Sequence, residues 1–204
     1  IAVTGVQTCA LPIFWTSRKK LGSSNTWSKP KMTHNTPNHF DGTPVLYLSP
    51  KNTLFLFYRK MHNGKIIPSG HTTTQILYKK SHDFGKTWSE SEYLRKLWCR
   101  VIRCEPLTTP GGHVVLPFHR ELFTYQSRFY INEDLELKAP WKTFGRLKVP
   151  GGCLEPSICL TKSGNILCGM RTFKAGRVYF ARSNDGGKTW DKPVASEIPN
   201  PNSQ

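Results

Sequence analysis

The chain has 204 residues, and its 29 Lys and Arg against 13 Asp and Glu give a formal charge of +16. Hydrophobic residues make up 37% of it and aromatic residues 12%, which is too apolar for a disordered protein, while a mean hydropathy of -0.46 excludes a membrane bundle. No apolar run approaches the ~18 residues that cross a bilayer, so we expect a soluble globular chain without a membrane span.

The first residues, Ile1–Ile13, form a moderately apolar stretch that could be mistaken for a signal-peptide core. They lack an initiator Met and a basic region, and Val3–Ile13 resembles the in-frame translation of a common sequencing-library adapter. We interpret residues 1–13 as such an artefact and expect residues 14–41 to be the remnant of a preceding blade with its linker. The natural start is then missing, and the sequence leaves the compartment open.

From residue 42 onward, Gly and Pro separate short runs of Val, Ile, Leu, Phe and Tyr, which is typical of an all-β protein with many turns. Two octapeptides, Ser81–Trp88 and Ser183–Trp190, both read S-x-D-x-G-K-T-W. They lie about one hundred residues apart, twice the roughly fifty residues of one propeller blade. Asp in such a turn accepts backbone N–H groups and Gly supplies a positive φ, so we predict that Asp83 and Asp185 are turn residues and not catalytic acids.

The upstream half of each unit repeats as well. Each opens on a Pro, continues as a hairpin, and ends its second strand with an Arg: Arg59, Arg120 and Arg171. We therefore predict three four-stranded antiparallel sheets within residues 42–204, spanning Gly42–Leu94, Cys104–Leu147 and Glu155–Val194.

Once Cys9 is set aside with the artefact, five cysteines remain. They contain no C-x2-C pair, so the sequence predicts no zinc site and no cofactor. We expect buried free thiols, although Cys159 and Cys168 flank a predicted hairpin turn and could face each other across it.

S-x-D-x-G-K-T-W at this spacing is the Asp-box, or bacterial neuraminidase repeat, and the chain from about His39 to Gln204 resembles the sialidase superfamily. The likeness extends to Thr43–Tyr47, which reads T-P-V-L-Y, and to Pro199–Ser203, which reads P-N-P-N-S. The resemblance implies a sialidase-like six-bladed β-propeller with its site at the central axis. About three of its blades would lie in this chain.

In that superfamily three arginines bind the substrate carboxylate, a Tyr activated by a Glu is the nucleophile, and an Asp is the acid/base. The resemblance implies that Glu155 is the base and Arg171 a carboxylate clamp. Arg120 and Arg59 close equivalent strands and are the further substrate-binding candidates. The alternative is that Glu155 and Arg171 are structural residues of the blade repeat. Glu105 also precedes a Pro where a blade opens, and an Arg closes every second strand.

The sequence also departs from the family pattern. Asp41–Pro44 lacks the family's first Arg, and Arg59–Gln75 contains neither Asp nor Glu where the acid is expected. His62 or His71 could replace that acid, or either could be a surface histidine. The Tyr nucleophile and the third Arg are expected beyond Gln204.

We therefore expect an exo-sialidase-like glycosidase fragment acting on terminal sialic or other acidic sugars of glycans. A catalytically inactive glycan-binding propeller is the alternative, and whether the chain belongs to an enzyme stays open. The +16 charge raises nucleic-acid binding as a third possibility. Lys and Arg are scattered over all blades, which favours solvated surface charge, so we expect a glycan partner and no nucleic acid.

Overall fold

The computed structural model describes the following residues: 2–6, 14–19, 27–62, 73–174 and 176–200. They form strands and turns, with no helix among them, as the sequence predicts. The chain divides into two compact units, Ile1–Trp98 and Cys99–Gln204.

The unit Ile1–Trp98 contains two antiparallel sheets. Its strands are β1 (Ala2–Val6), β2 (Phe14–Lys19), β3 (Lys31–His34), β4 (Phe40–Leu48), β5 (Leu54–Met61), β6 (Thr74–Ser81) and β7 (Glu92–Tyr93). The sheets have the orders β1-β2-β3 and β4-β5-β6-β7. The second is the four-stranded sheet predicted for Gly42–Leu94, and β1 lies within the residues that we interpret as an artefact.

The unit Cys99–Gln204 also contains two antiparallel sheets. Its strands are β8 (Arg100–Val101), β9 (Leu107–Thr108), β10 (Val114–Leu122), β11 (Thr124–Asn132), β12 (Lys142–Leu147), β13 (Cys153–Leu160), β14 (Ile166–Thr172), β15 (Gly176–Ser183) and β16 (Val194–Asn200). One sheet has the order β12-β11-β10-β8, with β9 also paired to β10, and the other has the order β13-β14-β15-β16.

Two predicted boundaries were wrong. The first strand of the middle sheet was expected after Cys104, whereas it is split into β8, which starts at Arg100, and β9. Pro106 lies between the two parts and has no N–H to donate to the ladder. The last strand, β16, does not end at Val194 but runs to Asn200, whose side-chain amide donates to the carbonyl oxygen of Thr172 over 3.0 Å.

The core of Cys99–Gln204 lies between its two sheets. Alternate residues of β14 are buried, as expected of a strand with one apolar face. Those side chains pack against the matching face of the β8–β12 sheet in one cluster of buried residues: Val115, Phe129, Ile131, Leu147, Cys153, Ile166, Cys168, Met170 and Ala181.

Both Asp-boxes are tight turns, which confirms the role predicted for their aspartates. Asp83 accepts the backbone N–H groups of Lys86 and Thr87 over 3.0 and 2.9 Å. Asp185 accepts the N–H of Thr189 over 2.8 Å. Burial alone would raise the pKa of Asp185, but the hydrogen bonds from Thr189 hold that pKa below its ordinary value.

The second Asp-box also joins the two sheets of its unit. Trp190 stacks on Phe129 of β11, with ring centroids 4.1 Å apart. The Nε2 of His113 lies 2.8 Å from the carbonyl oxygen of Gly186, to which it can donate. Gly186 has a φ of 71°, and a Cβ at this position would lie 2.4 Å from the His113 ring. Only glycine suits this turn, for conformation and for space.

The prediction for the cysteines holds only in part. Cys99, Cys153 and Cys168 are buried free thiols, but Cys159 is free and exposed. Cys159 pairs with Leu167, whereas Cys168 pairs with Ile158. Because neighbouring residues of a strand point to opposite faces, Cys159 and Cys168 do not face each other.

Candidate functional site

Glu155 and Arg171 meet across the β13–β14 hairpin. Leu154 pairs with Arg171 in the ladder, and an irregularity follows between Leu154 and Ser157. Glu155 lies within it at a φ of 50°. Its carboxylate receives two hydrogen bonds from Arg171, over 2.6 Å from Nε to Oε2 and over 3.2 Å from Nη2 to Oε1. The hairpin thus brings together the two residues that the sequence predicts to share a site.

A second arginine reaches the same carboxylate. The Nε of Arg103 lies 3.3 Å from Oε1 of Glu155, and the side chain of Glu155 is 26% exposed. Burial alone would raise the pKa of Glu155. The hydrogen bond from Arg171 and the positive charge of Arg103 outweigh burial and hold that pKa below its ordinary value. Glu155 is therefore ionised at neutral pH.

The contacts of Arg171 determine which of its N–H groups can reach a ligand. Nε and one Nη2 proton bind Glu155, and Nη1 donates to the carbonyl oxygen of Thr172 over 3.3 Å. A guanidinium carries five N–H groups. Among the described contacts, one N–H on each terminal nitrogen is left, and these two form the end-on fork of the group. The expectation that Arg171 is free to bind a carboxylate therefore applies to that end alone.

His119 supports Glu155 from the neighbouring sheet. The residue is 1% exposed, and its Nδ1 accepts the backbone N–H of Glu155 over 3.1 Å. Its Nε2 lies 2.7 Å from Oε1 of Glu121. Because Nδ1 is an acceptor here, the neutral ring carries its proton on Nε2 and donates it to Glu121. Burial lowers the pKa of His119, although the carboxylates of Glu121 and Glu155 oppose that shift.

The other two predicted arginines are Arg120, in the same unit, and Arg59, in the unit Ile1–Trp98. Arg120 follows His119 directly in β10 and therefore points to the opposite face of the sheet, away from Glu155. Its strand position is equivalent to that of Arg171, but its face is not. Arg59 belongs to the other unit, where it is 6% exposed and packs over Gly42.

The histidines proposed in place of the family's acid are described only in part. His62 contacts His39 over 3.2 Å and lies 3.1 Å from the side-chain oxygen of Gln75. Burial lowers the pKa of His62. His71 lies outside the described residues. Within the described ranges no His, Cys, Asp and Glu side chains gather into a group suited to a metal ion, and no helix could span a membrane.

Sequence reasoning missed Arg103, His119 and Glu121. The alternation of β10 contains a signal for two of them, because Val115, His119 and Glu121 share one face. Arg103 lies between β8 and β9, where no strand period applies.

The comparisons with known proteins agree with this fold. The sequence matches the family described as BNR repeat-like domain over residues 13–204. A search of curated proteins gave no match.

Several solved structures share the fold. A protein of unknown function from Dyadobacter fermentans is 18% identical with a TM-score of 0.76, over 92% of this chain and 60% of its own. The Hadza microbial sialidase Hz136 is 18% identical with a TM-score of 0.72, over 91% of this chain and 41% of its own. The intramolecular trans-sialidase of Ruminococcus gnavus, in complex with oseltamivir carboxylate, is 14% identical with a TM-score of 0.73, over 95% of this chain and 66% of its own.

The chain thus spans between 41% and 66% of the length of these three proteins. At such identities the likeness establishes the fold, and it confirms the predicted all-β, sialidase-like propeller class.

Proposed function

The chain belongs to the BNR repeat-like domain family, and from that premise we propose that it is part of a sialidase-like glycoside hydrolase. Its substrates are glycans that end in sialic acid or another acidic sugar. The observation that carries the proposal is the paired contact of Arg171 with Glu155, reinforced by Arg103.

In this proposal Glu155 is the general base. A base must be ionised before the reaction, and the two arginines keep the pKa of Glu155 low enough for that. The partner of the base would be a Tyr, which the family resemblance leads us to expect beyond Gln204. A neutral phenol activated by a carboxylate avoids the repulsion that an anionic nucleophile meets from an anionic sugar.

Arg171 binds the sugar carboxylate in this proposal. Its end-on fork offers two parallel N–H groups, which match the two oxygens of a carboxylate. Glu155 holds the opposite edge of the same guanidinium, so the fork is oriented before the substrate arrives. Arg59 and Arg120 remain weaker candidates for substrate binding, and Arg120 lies on the face of its sheet away from Glu155.

The test measures hydrolysis and binding in the protein that carries this chain. We expect release of 4-methylumbelliferone from its N-acetylneuraminate glycoside and not from its galactoside. Arg171→Ala should weaken binding of an N-acetylneuraminate analogue about tenfold or more, because a charge-assisted pair is lost. Arg182→Ala, at an exposed position of β15, is the control. If Arg171→Ala changes affinity by no more than about twofold, Arg171 is a structural arginine and the assignment is wrong.

A glycan-binding protein without catalysis is the second candidate. It is favoured by Asp41–Pro44, which offers no Arg, and by Arg59–Gln75, which offers no Asp or Glu. The same experiment separates the two candidates: binding that depends on Arg171 without any hydrolysis favours the inactive protein.

A further inference from the structure

Arg103 lies beside the candidate site, where the proposed function uses it only to keep Glu155 ionised. It belongs to the connection between β8 and β9, two residues before Glu105, so it is not one of the arginines that close the second strand of each unit. Its side chain is 42% exposed, against 22% for Arg171. Arg103 is thus the more accessible of the two arginines that reach Glu155.

The contacts of Glu155 place Arg103 beside the end-on fork of Arg171. Oε2 of Glu155 accepts from Nε of Arg171, whereas Oε1 accepts from Nη2, which is also one of the two nitrogens of the fork. The Nε of Arg103 lies 3.3 Å from that same Oε1. Arg103 therefore approaches Glu155 from the side on which the fork of Arg171 lies, and the two guanidinium groups are neighbours.

The N–H groups of Arg103 are open to a ligand. Its contact with Glu155 is an ion pair at 3.3 Å, and within the described part of the chain no atom accepts a hydrogen bond from its side chain. A guanidinium carries five N–H groups in a planar fork. A half-exposed arginine with these donors unused can bind an arriving oxyanion while the buried core beside it stays in place.

The charges of the three residues favour an anion at this position. Arg171 and Arg103 carry two positive charges, and the ionised carboxylate of Glu155 balances one of them. Two guanidinium groups that share one carboxylate repel each other, and a second carboxylate beside them reduces that repulsion. Guanidinium groups suit this task because their planar donors match carboxylate oxygens.

We propose that Arg103 binds the carboxylate of the terminal acidic sugar together with Arg171. This inference rests on the proposed function and adds a substrate-binding residue to it. Each carboxylate oxygen has two lone pairs, so an oxygen that accepts from the fork of Arg171 can also accept from Arg103. Arg103 then supplies a guanidinium that Asp41–Pro44 lacks. The missing arginine of that segment is in this case no sign of an inactive protein.

The test compares two ligands that differ only in the carboxylate. The methyl α-glycoside of N-acetylneuraminic acid and its carboxamide are each titrated into the protein that carries this chain. The native protein should bind the carboxylate ligand about tenfold more tightly or better. Arg103→Gln should weaken the carboxylate ligand about tenfold and leave the carboxamide within about twofold, because only the charge-assisted donors are lost. An equal loss for both ligands would mean that Arg103 only supports the site, and would overturn the proposal.

Two further variants complete the experiment. Arg103→Lys keeps the charge without the planar fork and should recover part of the lost affinity. Arg182→Gln removes an equal charge from an exposed position of β15 and should leave both affinities unchanged. If Arg103→Gln does not fold, Arg103→Lys is compared on the same two ligands.

Failure of this inference is distinguishable from failure of the proposed function. If Arg171→Ala weakens the carboxylate ligand and Arg103→Gln does not, the inference is wrong and the proposed function stands. If the native protein does not prefer the carboxylate to the carboxamide, both are wrong.

Discussion

The imidazole of His119 holds the backbone of Glu155 through a hydrogen bond of 3.1 Å between two different sheets. That bond satisfies the N–H of a residue at a φ of 50°, where non-glycine residues are strained. Conformation and carboxylate direction at Glu155 are thus fixed together: His119 holds its backbone, and Arg171 and Arg103 hold its side chain.

Removing the acceptor at His119 should destabilise the protein. His119→Phe leaves the half-buried N–H of Glu155 unpaired, at a cost of about 1 to 3 kcal/mol in the free energy of unfolding. His119→Asn keeps an oxygen that can replace Nδ1 and should cost less. Urea denaturation measures both, and equal losses would show that the hydrogen bond is not what matters.

His119 should also make stability depend on pH. Its pKa in the folded protein is lowered from 6.5, so the neutral ring is favoured in the folded state. The contribution of neutral His119 to stability is therefore present above about pH 6.5 and is lost as the pH falls through the lowered pKa. The charged groups that face the ring are Glu121, Glu155 and Arg103. Urea denaturation from pH 5 to 8 should show this loss in the native protein, and His119→Asn should flatten it.

The contact of Glu155 with Arg171 and Arg103 makes a separate contribution to stability, which is lost at lower pH. Its pKa is lowered from 4.5, so the contribution is present above about pH 4.5 and is lost as the pH falls through the folded value. Glu155→Gln should lower the free energy of unfolding at pH 7 by about 1 to 3 kcal/mol and abolish the acid-side loss. Glu136→Gln is the control for removing a negative charge. If the stability of Glu155→Gln falls at acid pH as much as that of the native protein, Glu155 is not the group that causes this loss.

The two glycines Gly186 and Gly112 separate conformational strain from steric conflict. Both have positive φ, 71° and 76°, but a Cβ at Gly112 meets nothing within 4 Å, whereas one at Gly186 meets the His113 ring. Gly112→Ala should cost about 1 kcal/mol through strain alone. Gly186→Ala should cost more, because the ring must move and its hydrogen bond is lost. Chemical denaturation measures the loss in the free energy of unfolding for both variants, and equal losses would refute the steric argument.

Asp185 should matter for stability and not for chemistry. Asp185→Ala removes the acceptor of the Thr189 N–H and should cost about 1 kcal/mol, since the group is partly exposed to solvent. Exposed Asp191→Ala is the matched control. Any hydrolytic activity should survive both changes. A loss of activity in folded Asp185→Ala would contradict the turn assignment.

Local sequence signals were sufficient for the hairpins and the Asp-boxes. A strand's period, its turn residues and an Asp-box are all encoded within a few consecutive positions, and antiparallel pairing then brings Glu155 to Arg171. The contact of His119 with Glu155 joins two sheets, and no local pattern encodes the offset between sheets. Arg120 shows the remaining difficulty. Its distance from the preceding Pro resembled that of Arg171, but one residue of register decides which face a side chain occupies.

The apolar cluster shared by the two sheets of Cys99–Gln204 determines how this unit comes apart. Val115 and Ile131 are covered by residues of the other sheet, including Ile166 and Met170, so both sheets lose the apolar contacts of this face once the two separate. Opening one sheet therefore exposes the apolar face of the other. Backbone amides of β10, β11 and β14 should exchange with solvent deuterium through one common opening event, with similar protection factors in all three strands.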